Sequence, residues 1–286
     1  MAKPPIGMLG LGIMGSAMAA NLLRAGYRVV GYDPVAACRR RHARMGGVAA
    51  QSLQEVSDAA AILITSLPSA KALDSVSKAI AGPKIVVETS TLPIADKERA
   101  RRALAAKGAV LLDCPLSGTG AQAKTGDLLV YGSGDRKAFR RALPVMRAFS
   151  RGQHYLGRFG DGSKMKFVAN LLVAIHNVSA AEALVLARRS GLDPAMAVKV
   201  LGDGAGSSRM LQVRGPMMVK RRYLPATMKN EVWQKDMKVI GDFARALGSP
   251  TPLFDATKPV YEATLGRLRK ADTAAVAAVL ERRARR

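Results

Sequence analysis

Ile6-Gly7-Met8-Leu9-Gly10-Leu11-Gly12-Ile13-Met14-Gly15-Ser16-Ala17-Met18-Ala19-Ala20-Asn21-Leu22 is the stretch whose reading decides the fold. Ile6–Leu9 reads as a short buried strand, and the Ala-rich run from Ser16 to Ala25 reads as a helix. Between them Gly10–Gly15 spells G-x-G-x-x-G. Three glycines alone say little, but between a strand and a helix they have a mechanism. Gly10 permits the tight turn, Gly12 lets a pyrophosphate approach the backbone, and Gly15 lets helix and strand pack closely. The helix start offers unpaired N–H groups and a partial positive charge to the phosphates. Leu11, Ile13 and Met14 belong to the same cofactor-binding turn.

Outward from this turn, short apolar runs alternate with amphipathic stretches as far as Gly160. The runs are Arg28–Tyr32, Gly47–Ala49, Ala61–Leu67, Ile85–Thr89, Val110–Asp113, Leu128–Gly132 and His154–Leu156; helix-like segments such as Lys71–Ala81 and Ile94–Lys107 lie between them. That βαβ rhythm predicts a mainly parallel sheet with helices on both faces. From Ser163 to Arg189 there is one long apolar-rich helical segment without Pro or Gly, closed by Gly191 and Pro194. Pro194–Leu201, Met210–Lys220, Glu231–Leu247, Phe254–Leu268 and Thr273–Arg285 then keep a helical pattern, and no strand rhythm returns. The expected class is α/β: a Rossmann-type, doubly wound, mainly parallel sheet over residues 1–161, followed through the long helix by an all-α domain over 162–286. The chain's 286 residues fit two domains at roughly 100–200 residues each.

Eighteen residues after Gly15, Asp33 ends the second apolar run. A carboxylate there accepts hydrogen bonds from ribose hydroxyls and repels a 2′-phosphate, which favours NAD. Arg39, Arg40 and Arg41 follow closely and leave NADP possible. Leu67, Pro68, Ser90 and Thr91 end the fourth and fifth runs, where the carboxyl ends of parallel strands line the ligand crevice.

Composition excludes several classes. Two cysteines, Cys38 and Cys114, and three scattered histidines (His42, His154, His176) exclude a disulfide framework and show no metal-ligand spacing. No run of about 18 consecutive apolar residues suggests a membrane span. The glycines from Gly7 to Gly15 break up what would be the apolar region of a leader, so a cytoplasmic protein is expected. Forty-five basic against 21 acidic residues give a formal net charge of +24. Such a field attracts anions. The basic residues are spread over Ala-rich helical patterns, so they read as solvated faces and a nucleic-acid partner is not expected.

Gly10–Leu22 resembles the opening signature of the β-hydroxyacid dehydrogenases, with Met14 and Asn21 adding to the three glycines. Asp113-Cys114-Pro115-Leu116-Ser117-Gly118-Thr119 is similar to that family's substrate-binding segment, D-A-P-V-S-G-G. Gly160 to Asn170 is similar to its catalytic segment, G-x-G-x-x-x-K-x-x-N-N, and Lys235-Asp236 matches its K-D. The resemblance implies a nicotinamide-dependent oxidoreductase that moves a hydride between NAD(P) and a small hydroxyacid or semialdehyde, such as 2-hydroxy-3-oxopropionate, glyoxylate or 3-hydroxyisobutyrate. It implies catalytic roles for Lys166 and Asn170, substrate binding by Ser117, Gly118 and Thr119, and a closing or cofactor-binding role for Lys235 and Asp236. The chain departs from the pattern at Thr119, Gln122, Asp127, Ala169 and Met228.

The chemistry is also readable from the residues. Hydride transfer to a carbonyl leaves an alkoxide, which needs a proton. Lys166 lies about one turn into the long helix, where the positive helix end and burial both disfavour an added charge. Asp161 or Ser163 is the expected cap of that helix. Asn170, four residues on, shares the face of Lys166. The apolar character of the long helix further suggests a homodimer or homotetramer. Two other readings compete: a nucleic-acid-binding protein on a dehydrogenase fold, and an imine reductase, against which Lys166 argues.

Overall fold

The structure is a computed structural model that describes residues 3–284. It divides into two compact units, Met1–Lys166 and Phe167–Arg286. The first contains β1 (Ile6–Leu9), α1 (Ile13–Arg24), β2 (Val29–Tyr32), α2 (Ala36–Arg44), β3 (Val48–Ala49), α3 (Leu53–Ala59), β4 (Ile62–Thr65), α4 (Ala70–Ala79), β5 (Ile85–Glu88), α5 (Ile94–Ala105) and β6 (Val110–Asp113). It continues with β7 (Leu116–Ser117), α6 (Gly120–Lys124), β8 (Leu129–Gly132), α7 (Arg136–Arg147) and β9 (Gly152–Tyr155), and it includes the first turns of α8 (Asp161–Arg189).

Six strands form a wholly parallel sheet in the order β3-β2-β1-β4-β5-β6. The order reverses at β1, so the crevice opens between β1 and β4, beyond the strands' carboxyl ends. The inner strands are near-continuous apolar runs because both faces are covered. On one face α1, α6 and α7 pack Met18, Leu22, Ala123, Phe139, Val145 and Met146 into a buried cluster. On the other, α3, α4 and α5 contribute Val56, Leu73, Val76, Ala100 and Leu104. The expected doubly wound architecture is present.

The sheet is not single, however. β7, β8 and β9 form a separate three-stranded sheet, antiparallel between β7 and β8 and parallel between β8 and β9. Ser117 therefore ends a strand of its own and not the sixth strand of the main sheet. Pro115, with no N–H to donate, interrupts the ladder after β6. A single bridge, Asp113 to Ser133, joins the two sheets.

The tertiary structure also sorts the charge. The sequences of α1, α6 and α7 contain no Asp or Glu, and α7 presents Arg136, Lys137, Arg140, Arg141 and Arg147. Helices α3, α4 and α5, on the opposite face, include Glu55, Asp58, Asp74, Asp96 and Glu98.

The second unit contains the rest of α8 with α9 (Pro194–Asp203), α10 (Arg209–Val219), α11 (Asn230–Ala246), α12 (Pro252–Glu262), a 3-10 turn at Thr273–Ala275 and α13 (Val276–Arg283). The final helix was expected to run to Arg285, which lies outside the described residues. By length and composition α8 could cross a bilayer. Part of it is buried within the unit: Asn177 donates to Tyr261 Oη at 3.0 Å and to the Thr273 carbonyl at 2.9 Å. Asp272 holds the turn between α12 and α13, accepting from Arg214, Thr227, Met228 and Ala274. Burial alone would raise its carboxyl pKa, but Arg214 and these amides hold it below the ordinary value.

His42 is fully buried beneath β2 and β3, with Nε2 3.2 Å from the Val29 carbonyl. A Cβ at Gly31 or Gly47 would lie 2.8 or 2.2 Å from its ring, so both glycines make room for the imidazole. Burial, only partly offset by the carbonyl, lowers the His42 pKa from 6.5. In the folded chain the ring stays neutral at pH values where an unfolded chain takes up a proton, so stability is lost as pH falls below about 6.5. We expect unfolding measured below pH 6.5 to show stability falling with pH, with a contribution from this residue of at most about 1.4 kcal/mol per pH unit. A His42→Phe chain that folds should lose that part of the slope; an unchanged slope would refute the assignment.

Candidate active site

The three glycines of the turn after β1 have three different environments. Gly10 has φ +94°, and a Cβ there would sit 2.2 Å from the Ser66 carbonyl oxygen. A Cβ at Gly15 would sit 2.0 Å from the Gly10 carbonyl oxygen. Both are required by the protein's own packing. Gly12 is exposed, has φ −66°, and its Cβ would meet nothing within 4 Å. No internal contact calls for a glycine there. What its missing side chain leaves is open space over the N-terminus of α1, which has no side-chain cap. This is the environment a dinucleotide pyrophosphate needs.

The rest of the expected crevice lies along the same sheet edge. Asp33, at the end of β2, is buried; its Oδ2 accepts the Leu11 amide at 2.8 Å and its Oδ1 accepts the Val35 amide at 2.9 Å. The carboxylate therefore braces the glycine turn and retains further lone pairs. Among the described residues no arginine is paired with it. Arg39 donates to the Asp33 and Pro34 carbonyls, with its guanidinium over the Tyr32 ring. Arg41 reaches across to the Leu11 carbonyl at 2.7 Å and Ser16 Oγ at 3.0 Å. Ser90 Oγ accepts the Leu67 amide at 2.8 Å, tying the ends of β4 and β5 together beside exposed Pro68 and half-buried Thr91.

The start of α8 is seated differently from the expected cap. Ser163 lies inside the helix, and the Asp161 carboxylate accepts the Arg158 amide and pairs with exposed Lys164. The first-turn amides are satisfied by groups from the sheets: Ser163 N donates to Asp113 Oδ2 at 2.7 Å and Gly162 N donates to Ser133 Oγ at 3.0 Å. Ser163 Oγ adds a bond of 2.8 Å to Asp113 Oδ1. A Cβ at Gly162 would lie 2.2 Å from the Tyr131 carbonyl oxygen and 2.7 Å from that of Asp113. The helix start is pressed onto the two sheets, and half-buried Lys166 follows within its second turn. Sequence reasoning quoted Asp113 without giving it this role, and it missed Ser133.

In the substrate segment, Thr119 caps α6 in a reciprocal box with Gln122. The Thr119 amide donates to Gln122 Oε1 at 3.0 Å, Gln122 Nε2 donates to Asp127 Oδ2 at 2.9 Å, and Asp127 Oδ1 pairs with Arg151 Nε at 2.6 Å. Three of the departures from the family pattern thus belong to one hydrogen-bonded chain. The Thr119 amide is therefore occupied by protein. Cys114, just before it, is buried; burial and then Asp113 push its thiol pKa well up, so it is not a nucleophile.

In the helical unit, buried Asn170 donates to Asp236 Oδ2 at 3.1 Å, and Lys235 Nζ lies 3.4 Å from Asp236 Oδ1. Asn170 and the K-D pair, 66 residues apart in sequence, are therefore brought together. Lys166 precedes Asn170 by one turn of the same helix. No cluster of potential metal ligands occurs among the described residues.

A strand-turn-helix cradle open at Gly12 and an acidic residue closing β2 are the features of a dinucleotide-binding fold. Residues 5–157 match the family model for the NAD-binding domain of 6-phosphogluconate dehydrogenase, and residues 160–280 match that for the NAD-binding region of NADP-dependent 3-hydroxyisobutyrate dehydrogenase. The chain is 33% identical over 264 residues to L-threonate dehydrogenase of Cupriavidus necator, covering 90% of this chain and 89% of the relative. It is 31% identical to 2-hydroxy-3-oxopropionate reductase of Escherichia coli, covering 86% of each. A crystal structure of 3-hydroxyisobutyrate dehydrogenase from Salmonella typhimurium superposes with a TM-score of 0.88 at 29% identity, over 97% of this chain and 100% of that one. The chain belongs to the β-hydroxyacid dehydrogenase family and is an NAD(P)-dependent oxidoreductase of small hydroxyacids.

The glycine geometry makes a sharp distinction. Gly12→Ala should leave the melting temperature unchanged and weaken NAD(H) binding at least about tenfold, as a methyl group occupies the pyrophosphate approach. Gly15→Ala should instead destabilise the fold by about 1–3 kcal/mol or more, the scale of overpacking. Unaltered cofactor affinity in a folded Gly12→Ala chain, read by fluorescence titration, would contradict this account of the cradle.

Proposed function

We propose that the chain catalyses reversible hydride transfer between NAD and a small β-hydroxyacid or semialdehyde, with Lys166 as the general acid and base. The observation that carries this reading is the seating of α8. Asp113 and Ser133 fix its first turn on the ends of β6 and β8, and the lysine follows in the next turn.

NAD(P), when bound, supplies or accepts the hydride. In the reducing direction Lys166 Nζ gives a proton to the substrate oxygen as the carbonyl carbon takes the hydride; in the oxidising direction it removes that proton. Asn170 orients the lysine or a substrate hydroxyl. Ser117 and the Gly118 backbone hold the substrate carboxylate, and Thr119 shapes the segment through Gln122. The substrates in the names of the relatives, threonate, 2-hydroxy-3-oxopropionate and 3-hydroxyisobutyrate, are all small acids that carry a hydroxyl or carbonyl group, which fits such a grip. Asp33, with no arginine on its carboxylate, supports NAD over NADP. Lys235 and Asp236 are assigned to the cofactor on the family's K-D pattern.

Lys166→Ala should lose at least about 100-fold in kcat, the scale of a removed general acid or base, with NADH affinity retained. A panel of glyoxylate and semialdehydes with NADH and NADPH identifies the substrate. Near-normal turnover of Lys166→Ala would remove the lysine from the role, and a preference for NADPH would overturn the reading of Asp33.

A further inference from the structure

Lys97 on α5 has no solvent exposure, which is rare for a lysine. Its Nζ lies 2.6 Å from Glu88 Oε2, at the end of β5, and 2.8 Å from Asp113 Oδ1, at the end of β6. Both carboxylates are fully buried as well. Burial by itself would depress the ammonium's pKa, but Asp113 and Glu88 outweigh it and hold the group charged. Glu88 Oε1 also accepts the Ser90 amide at 2.9 Å, and Ser90 Oγ holds Leu67. Asp113 holds Ser163 through both its amide and its hydroxyl. One buried cation therefore joins the strand ends of the cofactor crevice to the first turn of α8.

Stability does not by itself explain such a cluster, since a buried ion group is often replaceable by apolar side chains without loss. What the ions add is direction. Asp113 keeps its bonds to Ser163 Oγ and N only while its own carboxylate is held in place, and Lys97 is the charged side chain that holds it, beside the weaker Ser133 hydroxyl. Two carboxylates against one ammonium also leave one net negative charge, which lies at the positive end of α8.

We propose that Lys97 is a positioning residue: through Asp113 and Ser163 it sets the orientation of the α8 start, and hence the place of Lys166 relative to the nicotinamide end of the crevice. This rests on the reading of Lys166 as the proton donor. A misplacement of about 1 Å at a reacting group can cost about 100-fold in rate, so a device of this kind acts on kcat and leaves cofactor affinity alone.

The test uses Lys97→Met and Ser163→Ala, each alone and combined with Lys166→Ala, assayed with NADH and the most active carbonyl of the panel above. Lys97→Met strands two buried carboxylates and lowers stability; Ser163→Ala removes one hydrogen bond and keeps the test readable if the first variant does not fold. Expected are losses in kcat of about ten- to 100-fold for Lys97→Met and about three- to tenfold for Ser163→Ala, with the Kd for NADH within about twofold of the parent. In the Lys166→Ala background neither change should reduce kcat further, since residues that act as a unit are not additive. Parental kcat in folded single variants would overturn the proposal, and so would losses that persist at full size without Lys166. Should Lys166→Ala itself turn over normally, the acid-base reading fails and this inference fails with it. An inactive Lys166→Ala beside unaffected Lys97 and Ser163 variants sinks the inference alone.

Discussion

A buried carboxylate, that of Asp113, sets the terms for the rest of the first unit. It accepts from Ser163 N, Ser163 Oγ, Lys97 Nζ and Ser133 Oγ, all within 3.3 Å. A helix N-terminus pressed onto the end of a sheet has donors that must be satisfied away from water. Asp113 and Ser133 satisfy them from the strands. That requirement fixes several things together: a glycine at 162 to allow the approach, a countercharge at Lys97 to make the burial tolerable, and a bridge between the two sheets at Asp113 and Ser133.

The cofactor crevice shows the same economy. Asp33 braces the glycine turn through Leu11 while still offering lone pairs outward. The glycines divide by cause. Gly10 and Gly15 answer to backbone oxygens only 2.2 and 2.0 Å from the Cβ they lack, whereas Gly12 answers to nothing inside the chain. The open space at Gly12, over the uncapped start of α1, suits the approach of a pyrophosphate.

Two features that look unrelated along the chain gain coherence in space. Thr119, Gln122 and Asp127 replace residues of the family pattern one at a time in the sequence, yet they form one hydrogen-bonded chain ending at Arg151. On the α1, α6 and α7 face the helix sequences carry basic residues and no Asp or Glu, while those on the α3, α4 and α5 face carry both signs. A field of this sign raises the local concentration of carboxylate substrates and anionic cofactors.

The amino-acid order alone determined the elements whose causes are local. The glycine turn between β1 and α1, the alternation through β6, the length of α8 and the all-helical second half follow from periodicity, turn residues and helix breakers within a few residues of one another. Lys166 could be put forward from the sequence because its glycine-rich approach and its spacing to Asn170 lie in one short segment. Lys97 left only a faint trace, a cation on the stripe that otherwise buries Ala100 and Leu104. The second sheet, the seating of α8 on Asp113 and Ser133, the Glu88–Lys97–Asp113 cluster and the pairing of Asn170 with Asp236 were decided by tertiary structure. Each joins residues from 9 to 66 positions apart. The physical reason is range: a carboxylate's partner in a dry interior is whatever the fold brings within about 3 Å, and no local pattern encodes which distant side chain that will be.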